Sequence, residues 1–136
     1  MTALNRVTRW SPQVKRALDR HGLQSLPLWA ALAQIDVEGD GYTRPEAHVE
    51  VDYSAEGLLQ LQPIAAEDCG VSVEQIDGLG RPWVDAYRAI DCYGKLQAKY
   101  NGSDAPIWDY VLLWKAGSGT LSTSRSLRDE LDYWSA

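Results

Sequence analysis

Phenylalanine is absent from this chain, methionine occurs once and cysteine twice, and there is no run of about 18 apolar residues to read as a membrane span. Each shortage excludes something. The opening stretch MTALNRVTRW lacks the apolar core of a secretory signal, so action outside the cytoplasm would need another route. Cys69 and Cys92 are too few and too far apart for a zinc ribbon or a disulfide scaffold. They read as reduced thiols packed as small apolar groups, with a single bridge left open. Cations are the minority: 13 Lys and Arg against 19 Asp and Glu give a net charge of -6. Phosphate binding wants clustered Lys and Arg, so this balance argues against nucleic acid as the main partner. It gives no attraction towards an anionic cell envelope either.

What is present fits one domain. The 136 residues are 45% apolar, enough for a single core spanning residues 1–136. Six Trp and seven Tyr replace Phe. Both join an apolar face to a polar edge, which suits stacking on sugars, although most of these rings read as core. Ser11-Pro12 predicts a helix start, with Val14, Ala17 and Leu18 on one face and Gly22 as its stop. Pro27 opens a second helix, in which Leu28, Ala31, Leu32 and Ile35 recur at helical spacing beside Trp29 and Ala33. It reads as buried on most sides and ends at Gly39. Pro63 starts a short helix to Cys69, with Gly70 as its stop. Ser72 caps a further turn, and Pro82 opens the longest helix, to about Tyr100, with a stripe of Trp83, Tyr87, Ile90 and Leu96. Pro106 starts another helix, with Ile107, Tyr110, Val111 and Trp114 on one face, ending at Ala116-Gly117-Ser118-Gly119. A last helix from Ser124 to Trp134 is expected to lay Leu127, Leu131 and Trp134 against the body. The predicted fold class is mainly α, with a small β excursion after the second helix.

The stretch from Pro27 to Pro63 carries the chemistry. Glu38 falls in the last turn of the second helix, where the negative end of the helix dipole opposes an acid. That field, with partial burial, raises a carboxyl's pKa, as a general acid requires; the competing reading is a solvated residue at a helix end. Downstream, His48-Val49-Glu50-Val51-Asp52-Tyr53 alternates strictly. On a strand, His48, Glu50 and Asp52 share the face opposite Val49, Val51 and Tyr53. That face either lines a cleft or is solvated. A metal site from the same three residues is a weaker alternative.

Asp36-Val37-Glu38-Gly39-Asp40-Gly41 also resembles the start of a calcium loop, which needs oxygen ligands at alternate positions and glycine at the sixth. The match fails further on. Ala47 stands at the twelfth position where a bidentate Glu is required, Thr43 stands where an aliphatic residue is usual, and Pro45 disturbs the outgoing helix.

Three segments in order resemble a family: Glu38 near a helix end, Gly57-Leu58-Leu59-Gln60-Leu61-Gln62-Pro63-Ile64-Ala65-Ala66, and Leu113-Trp114-Lys115-Ala116-Gly117-Ser118-Gly119. Together they are similar to the lysozyme-like superfamily, above all the soluble lytic transglycosylases and their phage relatives. Those carry a catalytic Glu after an apolar helix, a Gly-Leu-Met-Gln segment and a later Tyr-Asn-Ala-Gly-x-Gly. Gly39 replaces the family's Ser after the Glu, and Trp114-Lys115 replaces Tyr-Asn. The spacing from Glu38 to Gly57 is closer to goose-type lysozymes. The resemblance implies cleavage of the β-1,4 bond between N-acetylmuramic acid and N-acetylglucosamine in peptidoglycan, at the cell wall or periplasm or from a virion. Glu38 would be general acid and base. In a hydrolase, Asp52 or, next, Glu50 would activate water. Gln60 and Gln62 would contact N-acetyl groups or backbone, Gly57 would allow close backbone approach, and His48 and Trp114 would flank the substrate. This chemistry needs no metal or cofactor. A non-catalytic glycan-binding or virion structural member of the same fold is the remaining alternative.

Overall fold

The computed structural model describes residues 2–43 and 55–135. They are mainly helical. The elements are α1 (Ala3–Thr8), α2 (Ser11–Arg20), α3 (Leu28–Gly39), α4 (Pro63–Asp68), α5 (Pro82–Tyr100) and α6 (Ile107–Ser135), with a 3₁₀ turn at Val73–Gln75. No helix among the described residues is long and apolar enough to cross a membrane. The alternating stretch from His48 to Tyr53 lies outside the described residues. The pairing seen among those described is an isolated antiparallel bridge between Glu56 and Leu61.

Helix α2 packs on both α3 and α5, while α6 touches α3 and α5. The predicted α2 face is the buried one, with Val14, Ala17 and Leu18 turned inward. Its start differs in detail: Trp10 is the N-cap and Ser11 is the first helical residue, its hydroxyl donating back to the Thr8 carbonyl at 2.7 Å. The core joins Trp10, Ile35, Ile90 and Tyr110 to Leu58, Leu59 and Leu61. Those three leucines are at most 2% exposed. Burial of each contributes about 1.5–3 kcal/mol, so the turn that carries the second motif is anchored from beneath.

Several surfaces are more open than helical periodicity implies. Helix α3 buries Ala30, Ala31, Gln34 and Ile35 but exposes Trp29, Ala33 and Val37. In the α5 stripe Ile90 and Leu96 are buried, whereas Trp83 and Tyr87 are about half exposed. Helix α6 does not stop at Gly117. That residue alone leaves helical geometry, at φ 87 and ψ 169, and the chain re-enters helix at once, several residues before the expected Ser124. The second limb sends Leu121 into the protein, but Leu127, Leu131 and Trp134 are 57%, 64% and 75% exposed. They do not cover the body.

The two cysteines are bonded to each other, so the reading as reduced thiols is overturned. The bond links the residue after α4 to the middle of α5. Separation along the chain could not reveal this, because the pairing depends on how α4 folds back on α5.

Candidate functional site

The exit from α3 is fixed by α1 and the residues after it. Asp40 caps the helix in the left-handed region at φ 56, a conformation that Asp tolerates better than most residues. Its carbonyl accepts from Arg6 Nε at 3.2 Å. The next carbonyl, of Gly41, accepts from Arg9 Nη2 and from Trp10 Nε1, both at 3.0 Å. Gly41 itself is at φ 80, and a Cβ there would lie 2.6 Å from the Arg6 carbonyl oxygen, so only glycine lets the chain pass this close. Glu38 therefore sits in a pinned final turn, half-buried. Asp36 and Glu38 are both on the helix rather than in a calcium-type loop. Among the described residues, no three His, Cys, Asp or Glu side chains cluster as a metal site.

Glu38 lines a cleft of about 1070 Å³. Gln60, Leu61 and Gln62 of the second motif line it too, as do Trp114, Lys115 and Gly117 of the third. The three segments, far apart in sequence, are thus brought together. Helix α4 supplies a further wall with Ile64, Glu67 and Asp68, and Tyr100 faces the same space from the end of α5.

Each expected contact residue has a definite place. Gln60 is at φ 50, and its amide nitrogen donates to the Gly57 carbonyl at 2.9 Å. One of the two Gln60 amide donors is therefore committed to its own turn. Gln62 is exposed and caps α4. Gly57 does permit a close approach, but not to substrate: at φ 78, its added Cβ would lie 1.9 Å from the Ile76 carbonyl oxygen. It is buried and serves packing. Trp114 donates from Nε1 to the Leu59 carbonyl at 3.1 Å and meets Tyr93 edge-on, ring centroids 4.7 Å apart. His48, Glu50 and Asp52 lie outside the described residues.

A buried chain of contacts joins these parts. The Tyr93 hydroxyl donates to Gln34 Oε1. Burial pushes that hydroxyl well above its usual range, so Tyr93 remains a neutral donor. Gln34 stands one helical turn before Glu38, on the same face of α3. Gln34, Tyr93, Trp114 and Leu59 thus connect the turn beneath Glu38 to the second motif through α5 and α6.

Asp68 and Tyr100 are among the cleft residues that were not foreseen. Asp68 accepts from Lys99 and, at 2.5 Å, from the Tyr100 hydroxyl. The hydrogen bonds from Lys99 and then Tyr100 hold its carboxyl below the ordinary carboxylate range. Asp68 and Tyr100 are brought together by the α4–α5 contact, and spacing carried no sign of that. The Cys69–Cys92 bond, had it been known, would have pointed to both. Compared with family models, with curated proteins and with solved structures, the chain finds no match.

Proposed function

We propose that this protein cleaves the β-1,4 bond between N-acetylmuramic acid and N-acetylglucosamine in peptidoglycan, in the manner of a lytic transglycosylase on a lysozyme-like fold. The observation that carries the reading is the convergence of Glu38, Gln60 to Gln62 and Trp114 to Gly117 on one cleft. In this mechanism Glu38 gives its proton to the leaving glycosidic oxygen. It then takes the proton of the muramoyl 6-hydroxyl as that oxygen closes on the anomeric carbon, leaving a 1,6-anhydro end. One carboxyl in two protonation states suffices. An inverting hydrolase needs a second carboxylate about 6.5–9.5 Å away to activate water. Asp52 and Glu50 are the candidates for that role; of the two acids that line the cleft from α4, Asp68 has both oxygens engaged by Lys99 and Tyr100, while Glu67 is exposed.

The test is a mass spectrum of the muropeptides released from purified sacculi, with wild type beside Glu38→Gln. Anhydro-ended products, absent with the variant, are expected. Reducing-end products would move the reading to a hydrolase with Asp52 or Glu50 as base. No products from the wild type on several sacculus types would sink cleavage and leave glycan binding. One observation favours glycan binding without cleavage: the Trp114 indole is spent on the Leu59 carbonyl, where the family's motif carries a tyrosine hydroxyl.

A further inference from the structure

A second, smaller pocket of about 290 Å³ lies among the end of α2, α5 and the residues just after α4. Both bonded cysteines line it, together with Arg20, Arg88, Lys95 and Asp91. Three cations around one pocket stand out in a chain of net charge -6. Asp91 lines the pocket and Asp85 lies just beyond it, so the cations outnumber their carboxylate partners three to two. Asp91 is shared between Arg20 Nη1 at 2.5 Å and His21 Nε2 at 2.9 Å. Arg88 reaches Asp85 only at 3.7 Å. Lys95 donates to the Cys69 carbonyl at 3.1 Å, which keeps its ammonium beside the bond. The cysteines are themselves only 5% and 3% exposed, and this pocket is a space that both of them line.

We propose that the pocket is an exchange site at which a small anionic thiol docks and reduces the Cys69–Cys92 bond. The incoming thiolate attacks one sulfur, the bond between the cysteines breaks, and the other cysteine leaves as a thiolate that takes a proton from water. A second thiol attacks the mixed disulfide and frees the remaining cysteine. Two thiols are oxidised to one disulfide as the protein bond takes up two electrons. The surrounding cations favour both the anionic reagent and the departing thiolate, and Lys95 is at hand for Cys69. The room suits a molecule of tripeptide size with carboxylates rather than a protein reductant, which would have to reach buried sulfurs. Reduction removes the covalent tie between α4 and α5 and leaves the cleft wall to the burial of Ala66, the Lys95 bond to the Cys69 carbonyl and the Asp68 contacts with Lys99 and Tyr100.

The experiment uses the intact oxidised protein and three probes: glutathione, which carries two carboxylates; neutral 2-mercaptoethanol; and cationic 2-aminoethanethiol. Free cysteines are counted by alkylation and mass spectrometry, and rates are divided by thiolate concentration. At low salt glutathione should outpace the cationic thiol by at least about tenfold, within the range that charge steering supplies. The ratio should shrink in molar salt, where the screening length falls to about 3 Å. It should also shrink in Arg88→Gln/Lys95→Gln; the salt series on wild type decides the matter if that variant fails to fold. Equal rates, a faster cationic thiol, or no exchange with any probe would overturn the proposal. After reduction, amide exchange should quicken over residues 63–69 while α2 keeps its protection; unchanged protection over 63–69 would overturn the release of the wall. Neither readout depends on glycan cleavage.

Discussion

The Trp114 indole is held from two sides. Its ring edge meets Tyr93 at 4.7 Å while Nε1 satisfies the Leu59 carbonyl at 3.1 Å. Leu59 is 1% exposed, so water has poor access to that carbonyl. Trp114→Phe keeps an aromatic ring for Tyr93 and deletes only the donor. A buried acceptor left unmatched costs about 1–3 kcal/mol, and urea unfolding should show a loss of that size. A loss within about 0.5 kcal/mol, the usual scatter of surface changes, would mean that another donor reaches Leu59 and that Trp114 is no strut. The Tyr93–Gln34 contact belongs to the same line of residues. The turn of α3 that precedes Glu38 is thus tied to α5 and α6.

At the scale of elements, α6 is two limbs hinged at Gly117, whose φ of 87 and ψ of 169 lie where residues with a Cβ are rarely found. The second limb is latched to the first by Asp109, which is 2% exposed. Its Oδ2 accepts from Arg125 Nε at 3.3 Å and Arg128 Nη2 at 2.9 Å, and Arg125 Nη1 also donates to the Tyr100 carbonyl at 2.8 Å. Stripping one partner from a fully buried pair costs about 3–5 kcal/mol. Here the arginine side chains are 36% and 39% exposed, so water compensates part of the loss. Asp109→Asn should therefore lower stability by about 1–3 kcal/mol and speed amide exchange over residues 118–135; unchanged exchange there would show that Leu121 and the Arg125 bonds to Tyr100 and Asn101 hold the limb without Asp109. Sequence punctuation located the elements well. Pro63 with Gly70 bounded α4, and Pro82 opened α5, because proline removes a donor and glycine takes φ above zero. The same rule misled at Gly117, since a glycine that breaks a helix need not stop it. Helical period identified Leu127, Leu131 and Trp134 as one stripe, but no periodicity says whether a body lies within reach. Glu38, Gln60, Gln62 and Trp114 were legible through their motifs. Asp68, Tyr100 and the cysteine pair, 23 residues apart, depend on one helix folding against another, which no local signal encodes.

Across the whole molecule, charge works at the seams between helices more than in the core. Asp68 links α4 to Lys99 and Tyr100 of α5, and Asp91 links α5 to Arg20 and His21 at the end of α2. Burial pushes the Asp91 carboxyl up, but hydrogen bonds from His21 and Arg20 outweigh it and leave the group below the ordinary carboxylate range. Asp68 is lowered as well, by Lys99 and Tyr100. Both groups bind protons more weakly folded than unfolded. Their stabilisation is complete above the unfolded carboxylate value of about 3.9 and fades as pH falls through the folded values, where the unfolded chain holds more protons. Asp91 is 43% exposed and Lys99 52%, so solvent screening keeps each contribution modest. Urea midpoints should therefore stay nearly level from about pH 7 to pH 5 and decline below about pH 4. Asp91→Asn should begin lower at neutral pH and decline less steeply, because it has already lost what acid removes. A variant that matches wild type at neutral pH and tracks it throughout the acid limb would show that the α2–α5 seam is held by Val14, Ala17 and Ile90 without help from its charges.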